Sequence, residues 1–306
     1  MDVRQLSAIV AIADHGTFSA AARALYTVQS NVSGHVARLE KELGVTLVDR
    51  ANGGLTDDGD RVVQRARRVL NEIDEITSDV GSKSENVSGQ LRLGLIGTTA
   101  RWLMPALLTR LHELHPNVRV ILHEGATSTI APNVHAGEFH AGIVHLPIDD
   151  PDLVVEPLFA EDLMLLVPPG HPLHGNDAAP LAAIDGMPML LPPTGSALRK
   201  VLDRAAASAN VRLRAHAEID GVRLIAALAS DGFAPAIVPA TATAGWPAGT
   251  ADLVPMPELP RRVVAVVRRR RPTPSTATRV TIEVMREVVG EQAEAQPGVH
   301  LETSVF

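Results

Sequence analysis

Residues 16–44 read GTFSAAARALYTVQSNVSGHVARLEKELG, two short helical patterns joined by a tight turn. Thr17-Phe18-Ser19 opens the first pattern with a hydroxyl able to cap free backbone N–H groups. Phe18, Ala21, Ala22 and Leu25 then fall at helical spacing on one face. Tyr26-Thr27-Val28 makes the turn. In the second helix Val32, Val36, Leu39 and Leu43 form a narrow inward stripe, and Gly44 is a natural stop. The opposite face carries Gln29, Ser30, Asn31, Ser33, His35 and Arg38. Amide, hydroxyl and guanidinium groups at a helix start are what major-groove base edges and phosphates accept. The pattern fits a helix-turn-helix DNA reader; it also fits a plain two-helix hairpin with a solvated face.

The flanks favour the DNA reader. Upstream, Val3, Leu6, Ile9, Val10 and Ala13 make one more amphipathic helix, enough for a three-helix core. Downstream, Val45-Thr46-Leu47-Val48 reads as a strand, Asn52-Gly53-Gly54 as a turn and Leu55-Thr56 as a return strand. Three helices and a small hairpin predict a winged helix-turn-helix.

Residues 1–50 resemble the N-terminal domain of LysR-type transcriptional regulators. The matching pieces are M-D-x-R-Q-L from Met1, G-T-F-S-x-A-A-x-x-L from Gly16, and Q-S-x-V-S-x-H-V-x-x-L-E-x-x-L-G-V-x-L-x-x-R from Gln29. The resemblance extends over the chain except the tail after Gly290. It implies promoter DNA as partner, a homodimer or homotetramer, a small-molecule effector, and RNA polymerase if the protein activates. Three positions depart from the family pattern. Val28 stands where a Ser usually precedes the helix, so either Thr27 takes over the cap or the helix start is reshaped. Gly34 replaces a long polar residue and costs about 1 kcal/mol of helix propensity. The wing, Ala51-Asn52-Gly53-Gly54, is short and lacks a basic residue.

Composition bounds the remaining possibilities. A chain of 306 residues with 45% hydrophobic content predicts two or three domains with real cores. It contains no cysteine, which excludes disulfides, thiolate metal sites and cysteine nucleophiles within it. No apolar run is long enough to span a bilayer, and no secretory pattern opens the chain, so the expected location is the cytoplasm without membrane contact. The net charge of −7 gives no global basic footprint, so DNA binding must rest on a few placed cations. No phosphate-binding loop, dinucleotide fingerprint or nucleophile elbow is present. No enzyme, cofactor or metal is expected; His112/His115 and His171/His174 lack acidic partners and read as surface histidines.

From Asp57 onward, Val62, Ala66, Val69, Ile73, Ile76 and Val80 repeat as a heptad seam flanked by charge. We read this as an intermolecular linker helix ending in a polar hinge. The expected organisation is a DNA-binding domain at 1–57, a linker helix at 58–84, a hinge at 85–90, an effector domain at 91–290 and a poorly ordered tail at 291–306. Strand and helix patterns alternate from Gln90, which predicts an α/β domain with parallel sheet. The expected strands are 91–97, 118–123, 141–144, 163–167, 215–219, 236–238 and 262–267; Pro105 is placed near the first turn of the helix at 98–114. In the family the late strand and the final helix return to the first lobe. That gives a two-lobed, periplasmic-binding-protein-like fold, lobe I at 91–160 and 264–290 and lobe II at 161–263.

In such sheets ligands bind beyond the carboxyl ends of the strands. Thr98, Thr99, Thr127 and His145 lie there in lobe I, and Thr194, Ser196 and Phe233 in lobe II. Converging hydroxyls and helix starts suit a carboxylate or another small anion. Singly, each hydroxyl is more readily read as a helix cap than as a ligand contact; their shared location carries the expectation. Arg268 to Arg271 read as a lobe crossover and not as a DNA patch. The alternative function is a small-molecule binding protein whose N-terminal helices serve dimerisation only.

Overall fold

The computed structural model describes residues 1–49, 54–81, 87–246 and 252–301, with the backbone alone at 74, 75 and 77–81. The wing tip 51–53 and hinge residues 82–86 lie outside the described residues, as does the side chain of Val80.

Three helices open the chain: α1 (Val3–His15), α2 (Phe18–Ala24) and α3 (Gln29–Leu43). Asp2 and Gln5 form a reciprocal capping box at the start of α1, and Thr17 caps α2 through Ala20 N at 3.1 Å. Leu6, Ile9, Ile12, Ala21, Ala22, Val32, Val36 and Leu39 bury together as one core. Leu43, predicted on that stripe, is exposed as the last residue of α3. The expected four-residue strand shrinks to β1 (Val48–Asp49), antiparallel to β2 (Gly54–Leu55). The Glu40 carboxylate takes up the Leu47 and Val48 N–H groups at 2.8 and 3.2 Å, which replaces ladder bonds there.

Helix α4 (Asp57–Gly81) follows directly. Thr56 Oγ1 accepts from Gly59 N at 3.0 Å and donates to Thr46 O at 2.7 Å, which ties the helix start to the hairpin. A Cβ at Gly59 would collide with the Leu47 carbonyl oxygen, so only glycine permits this approach. The heptad seam is divided by this packing. Ala66, with Val63 and Leu70, is absorbed into the chain's own N-terminal core, whereas Val69 and Ile76 are 45% and 63% exposed.

The remainder forms two sheets. The first contains β3 (Ser88–Leu95), β4 (Asn117–Glu124), β5 (Ala141–His145), β6 (Leu153–Glu161), β12 (Arg262–Arg269) and β13 (Val299–His300), in the order β13-β6-β12-β5-β3-β4. Helices α5 (Gly97–Leu114), α6 (Thr127–Ala136) and α9 (Thr276–Ala293) belong with it. The second contains β7 (Leu163–Val167), β8 (Pro188–Leu191), β9 (Arg214–Glu218), β10 (Ala236–Pro239) and β11 (Asp252–Pro255), with α7 (Ala197–Ser208) and α8 (Val222–Ser230). Both sheets are mixed, which corrects the expectation of parallel sheets. β3, β4 and β5 are parallel, but β12 runs antiparallel to both β5 and β6. The reason is topological: β6 leaves the first lobe and β12 returns to it, so the two crossovers run in opposite directions.

Four strands escaped the sequence reading: β6, β8, β11 and β13. Pro157 interrupts the pattern of β6, and β8 and β11 are four-residue pieces carrying a proline. Pro105 is the ninth residue of α5 and not in its first turn; counted from the expected start at 98 it is already the eighth. The tail is ordered as far as it is described. Helix α9 runs to Ala293, β13 pairs with β6, and His300 meets Asp162 at 2.9 Å. Buried Val299 and the Asp162 N–H bond to Gly298 O hold it down, contacts that no local periodicity signals.

Candidate functional site

Two sites emerge. The first is the exposed face of α3. Gln29, Ser30, Asn31 and Arg38 are exposed, and Thr27, Ser33 and His35 are half-buried at its edge. Val28 is the N-cap residue and supplies no side-chain cap. Thr27 does not take the role over: its hydroxyl accepts from Asn31 Nδ2 at 2.9 Å. Helix α3 therefore starts from an extended Val28 with no side-chain cap on its first backbone N–H groups. Gln29 is fixed from the side, because Ser19 Oγ on α2 donates to Gln29 Oε1 at 3.0 Å. The bond uses the amide oxygen, so the Nε2 group of this exposed side chain keeps its donor hydrogens. Arg38 Nη2 rests on His35 Nδ1 at 3.0 Å. Sequence reasoning did not single out Ser19, although its place in the first turn of α2 puts it beside Gln29. A Cβ added at Gly34 would meet nothing within 4 Å, so the glycine leaves open space on this face.

The second site lies between the lobes. Thr98 and Thr99 open α5 after β3, Thr127 opens α6 after β4, and His145 ends β5. The structure joins Thr127 to His145, whose N–H donates to Thr127 Oγ1 at 3.2 Å. Neither α5 nor α6 has a side-chain cap, so these hydroxyls are not helix caps. Thr98 Oγ1 accepts from Arg262 Nη2 at 3.1 Å. Thr99 is wholly buried with no hydrogen-bond partner for its hydroxyl. The lobe II residues behave differently. Ser196 caps α7, accepting from Arg199 N at 3.4 Å, and Thr194 gives both N–H and hydroxyl to Glu218. Phe233 is exposed and meets His216 edge-on at 5.4 Å between ring centres. The hydrogen bonds and ring contact of these three stay within lobe II.

Sequence reasoning missed the charged frame of this site. Glu161, fully buried at the end of β6, accepts from Arg262 Nε at 2.9 Å and from the Thr241 hydroxyl at 2.7 Å. A lone acid between apolar strands, as in Leu158-Phe159-Ala160-Glu161, is the signal that could have found it. Arg262 is only 10% exposed. Through Thr98 and Thr241 the pair bridges both lobes. Burial first, then the Arg262 guanidinium, pushes the His145 imidazole down to about 4, so it is neutral at pH 7. Two more contacts close the lobes: Arg223 to Glu124 at 2.9 Å, and Arg101 to the Ala244 carbonyl at 3.0 Å.

Between the two sites, α4 docks on lobe I. Arg68 donates to Ala136 O at 2.7 Å, Asn71 Nδ2 to Gly137 O, and Glu72 pairs with Arg269 at 3.4 Å. Arg268 pairs with Glu156 at 3.0 Å and Arg270 donates to the Pro151 carbonyl at 3.1 Å, so these arginines are committed to internal contacts.

Residues 3–60 match the family of bacterial regulatory helix-turn-helix proteins of lysR type, and residues 84–290 match the LysR substrate binding domain. The chain belongs to the LysR family. It is a transcriptional regulator by that membership and not an enzyme. A probable hydrogen peroxide-inducible genes activator of Mycobacterium leprae is 34% identical over 196 residues, which covers 63% of each protein. A counterpart from Streptomyces viridosporus is 31% identical over 241 residues, 78% of this chain and 77% of that one. The chain thus spans slightly under two thirds of the first relative. A full-length OxyR variant from Pseudomonas aeruginosa, with a cysteine replaced by aspartate, superposes with a TM-score of 0.76 at 24% identity over 99% of each chain. At that identity the likeness speaks for the fold. No helix among the described residues of the LysR-family chain is long and apolar enough to cross a membrane.

Proposed function

We propose that this LysR-family chain binds promoter DNA in the cytoplasm as a dimer or tetramer and responds to a small organic anion held between the lobes. Residues 1–57 read DNA, 58–84 link and dimerise, 85–90 form the hinge, and 91–290 bind the effector. RNA polymerase is a further partner if the protein activates. The observation that carries the reading is the exposed polar face of α3, with Gln29 bonded by Ser19 at its start. Gln29 and Ser33 face base edges, with Ser30, Asn31, His35 and Thr27 beside them and Arg38 on a phosphate. Gln29→Ala removes a base contact worth ~1–3 kcal/mol of discrimination. In titrations it weakens binding to a duplex selected by the wild-type protein and spares unrelated DNA. Equal weakening of both would overturn the assignment.

The effector reading is supported by Thr127 and His145, which are hydrogen-bonded, and by Thr98 and Thr99, with α5 and α6 beginning without side-chain caps. Free N–H groups at those starts favour an anion, with Thr194, Ser196 and Phe233 offered from lobe II. The relatives are named for induction by hydrogen peroxide. These 306 residues contain no thiol to oxidise, so the signal here is reversible binding and not disulfide chemistry. Binding regulates only if the ligand prefers one lobe arrangement. Calorimetry of the full chain with small carboxylates, and with hydrogen peroxide as the competing case, tests the ligand class. Thr99→Val removes the unpaired hydroxyl and keeps the shape. It raises the melting temperature of the ligand-free chain and costs ~1–3 kcal/mol of ligand affinity. Unchanged affinity moves the effector elsewhere.

A further inference from the structure

Among the described residues, several helices end in a residue of the left-handed backbone region, either next to the last turn or one residue beyond it. Glycine fills that place after α1, α3, α6 and α8, as Gly16, Gly44, Gly137 and Gly232 at φ +74, +71, +75 and +86°. After α7 it is Asn210, a type that tolerates this region. After α2 it is Tyr26 at φ +52°. The hydrogen bonds there are those of a Schellman ending: Tyr26 N donates to Arg23 O at 3.1 Å and Thr27 N to Ala22 O at 2.9 Å. Glycine is the residue such an ending selects, because a Cβ is strained in it. The Tyr26 side chain gains nothing from packing, because it is 98% exposed. Its neighbours Leu25 and Val28 are exposed too, and Gln29 begins α3 three residues later. A strained, unpacked aromatic at the entrance to the reading helix points to contact with a partner.

We propose that Tyr26 is a DNA-contacting residue, its hydroxyl donating to a backbone phosphate at the edge of the groove that α3 enters. The proposal rests on the DNA reading of α3 and extends that surface by one turn. Tyrosine hydroxyls are among the groups that contact phosphate oxygens, and such contacts set register without reading sequence. A hydroxyl also displaces no condensed counterion, unlike a lysine or arginine in the same place.

Three variants of the full chain test this: Tyr26→Phe, Tyr26→Asn and, as control, Gln29→Ala. Tyr26→Phe is expected to lower affinity on the order of 5-fold, the worth of one net hydrogen bond. The loss falls equally on selected and unrelated duplexes, with an unchanged salt slope. Tyr26→Asn loses at least as much affinity while its melting temperature rises, since asparagine relieves the strain. Loss of binding by misfolding cannot produce that opposite pair of changes. Labelling with 3-fluorotyrosine supplies a direct readout, because Tyr26 is the chain's only tyrosine. Its single fluorine resonance shifts on addition of duplex. Wild-type affinity in both Tyr26 variants, or a resonance that responds to protein concentration and not to DNA, overturns the proposal. If Gln29→Ala also binds selected duplex normally, the reading of α3 itself falls.

Discussion

Arg262→Met lowers the stability of the chain by about 3–5 kcal/mol, because it leaves the Glu161 carboxylate buried without its counter-charge. Glu161 is fully buried and Arg262 nearly so, so water cannot compensate for the loss. Thr241 supplies two hydrogen bonds to Glu161, but neither carries a formal charge. For a unit of this size the loss corresponds to a melting temperature lower by about 10 °C. Arg262→Met combined with Glu161→Leu recovers most of it, since replacing both members with apolar groups removes the stranded charge. The pair also holds Thr98, so the single variant loosens the proposed effector site as well as the fold. Urea unfolding of the two single variants and the double variant measures the coupling. A single-variant loss below about 1 kcal/mol would show that the pair contributes little.

Val69→Asp with Ile76→Asp converts the protein to monomers in sedimentation experiments. Both side chains are exposed along one face of α4, with no core of their own chain to enter. In a paired linker helix the substitutions bring like charges together across the seam. Affinity for a duplex carrying two half-sites then falls by roughly 100-fold or more, since the second contact is no longer intramolecular. The fold of each chain survives, because Val63, Ala66 and Leu70, which pack on the N-terminal core, are untouched. Variants that stay dimeric and bind normally would place the dimer contact on another surface.

The division of α4 shows what a pattern can and cannot convey. A heptad stripe announces that a helix has an apolar face but does not say which partner covers it. Ala66 went to its own chain and Val69 to solvent, although both lie on one stripe. The proposed effector site has the same character. Thr98, Thr127 and His145 could be proposed from the sequence because His145 ends a strand and the two threonines follow strand ends, which line the crevice in this class of fold. Arg262 and Glu161 could not, because the two share a site only after β6 and β12 have crossed between the lobes. The ordered tail was illegible for a related reason: β13 is two residues long and pairs with β6, an edge far back in the chain that must first be built.

Local pattern was enough to specify the three N-terminal helices, the Thr17 cap, the Gly44 stop and the outward polar face of α3. Each depends on contacts within a few residues or one helical period, where propensity and hydrophobic spacing act directly. The family and the absence of thiol chemistry in these residues were legible at the same level. The direction of the crossover strands, the buried Arg262–Glu161 pair, the docking of α4 on lobe I and the exposure of Tyr26 came from the folded chain alone. These depend on contacts between residues distant in the chain, whose energies no local pattern encodes.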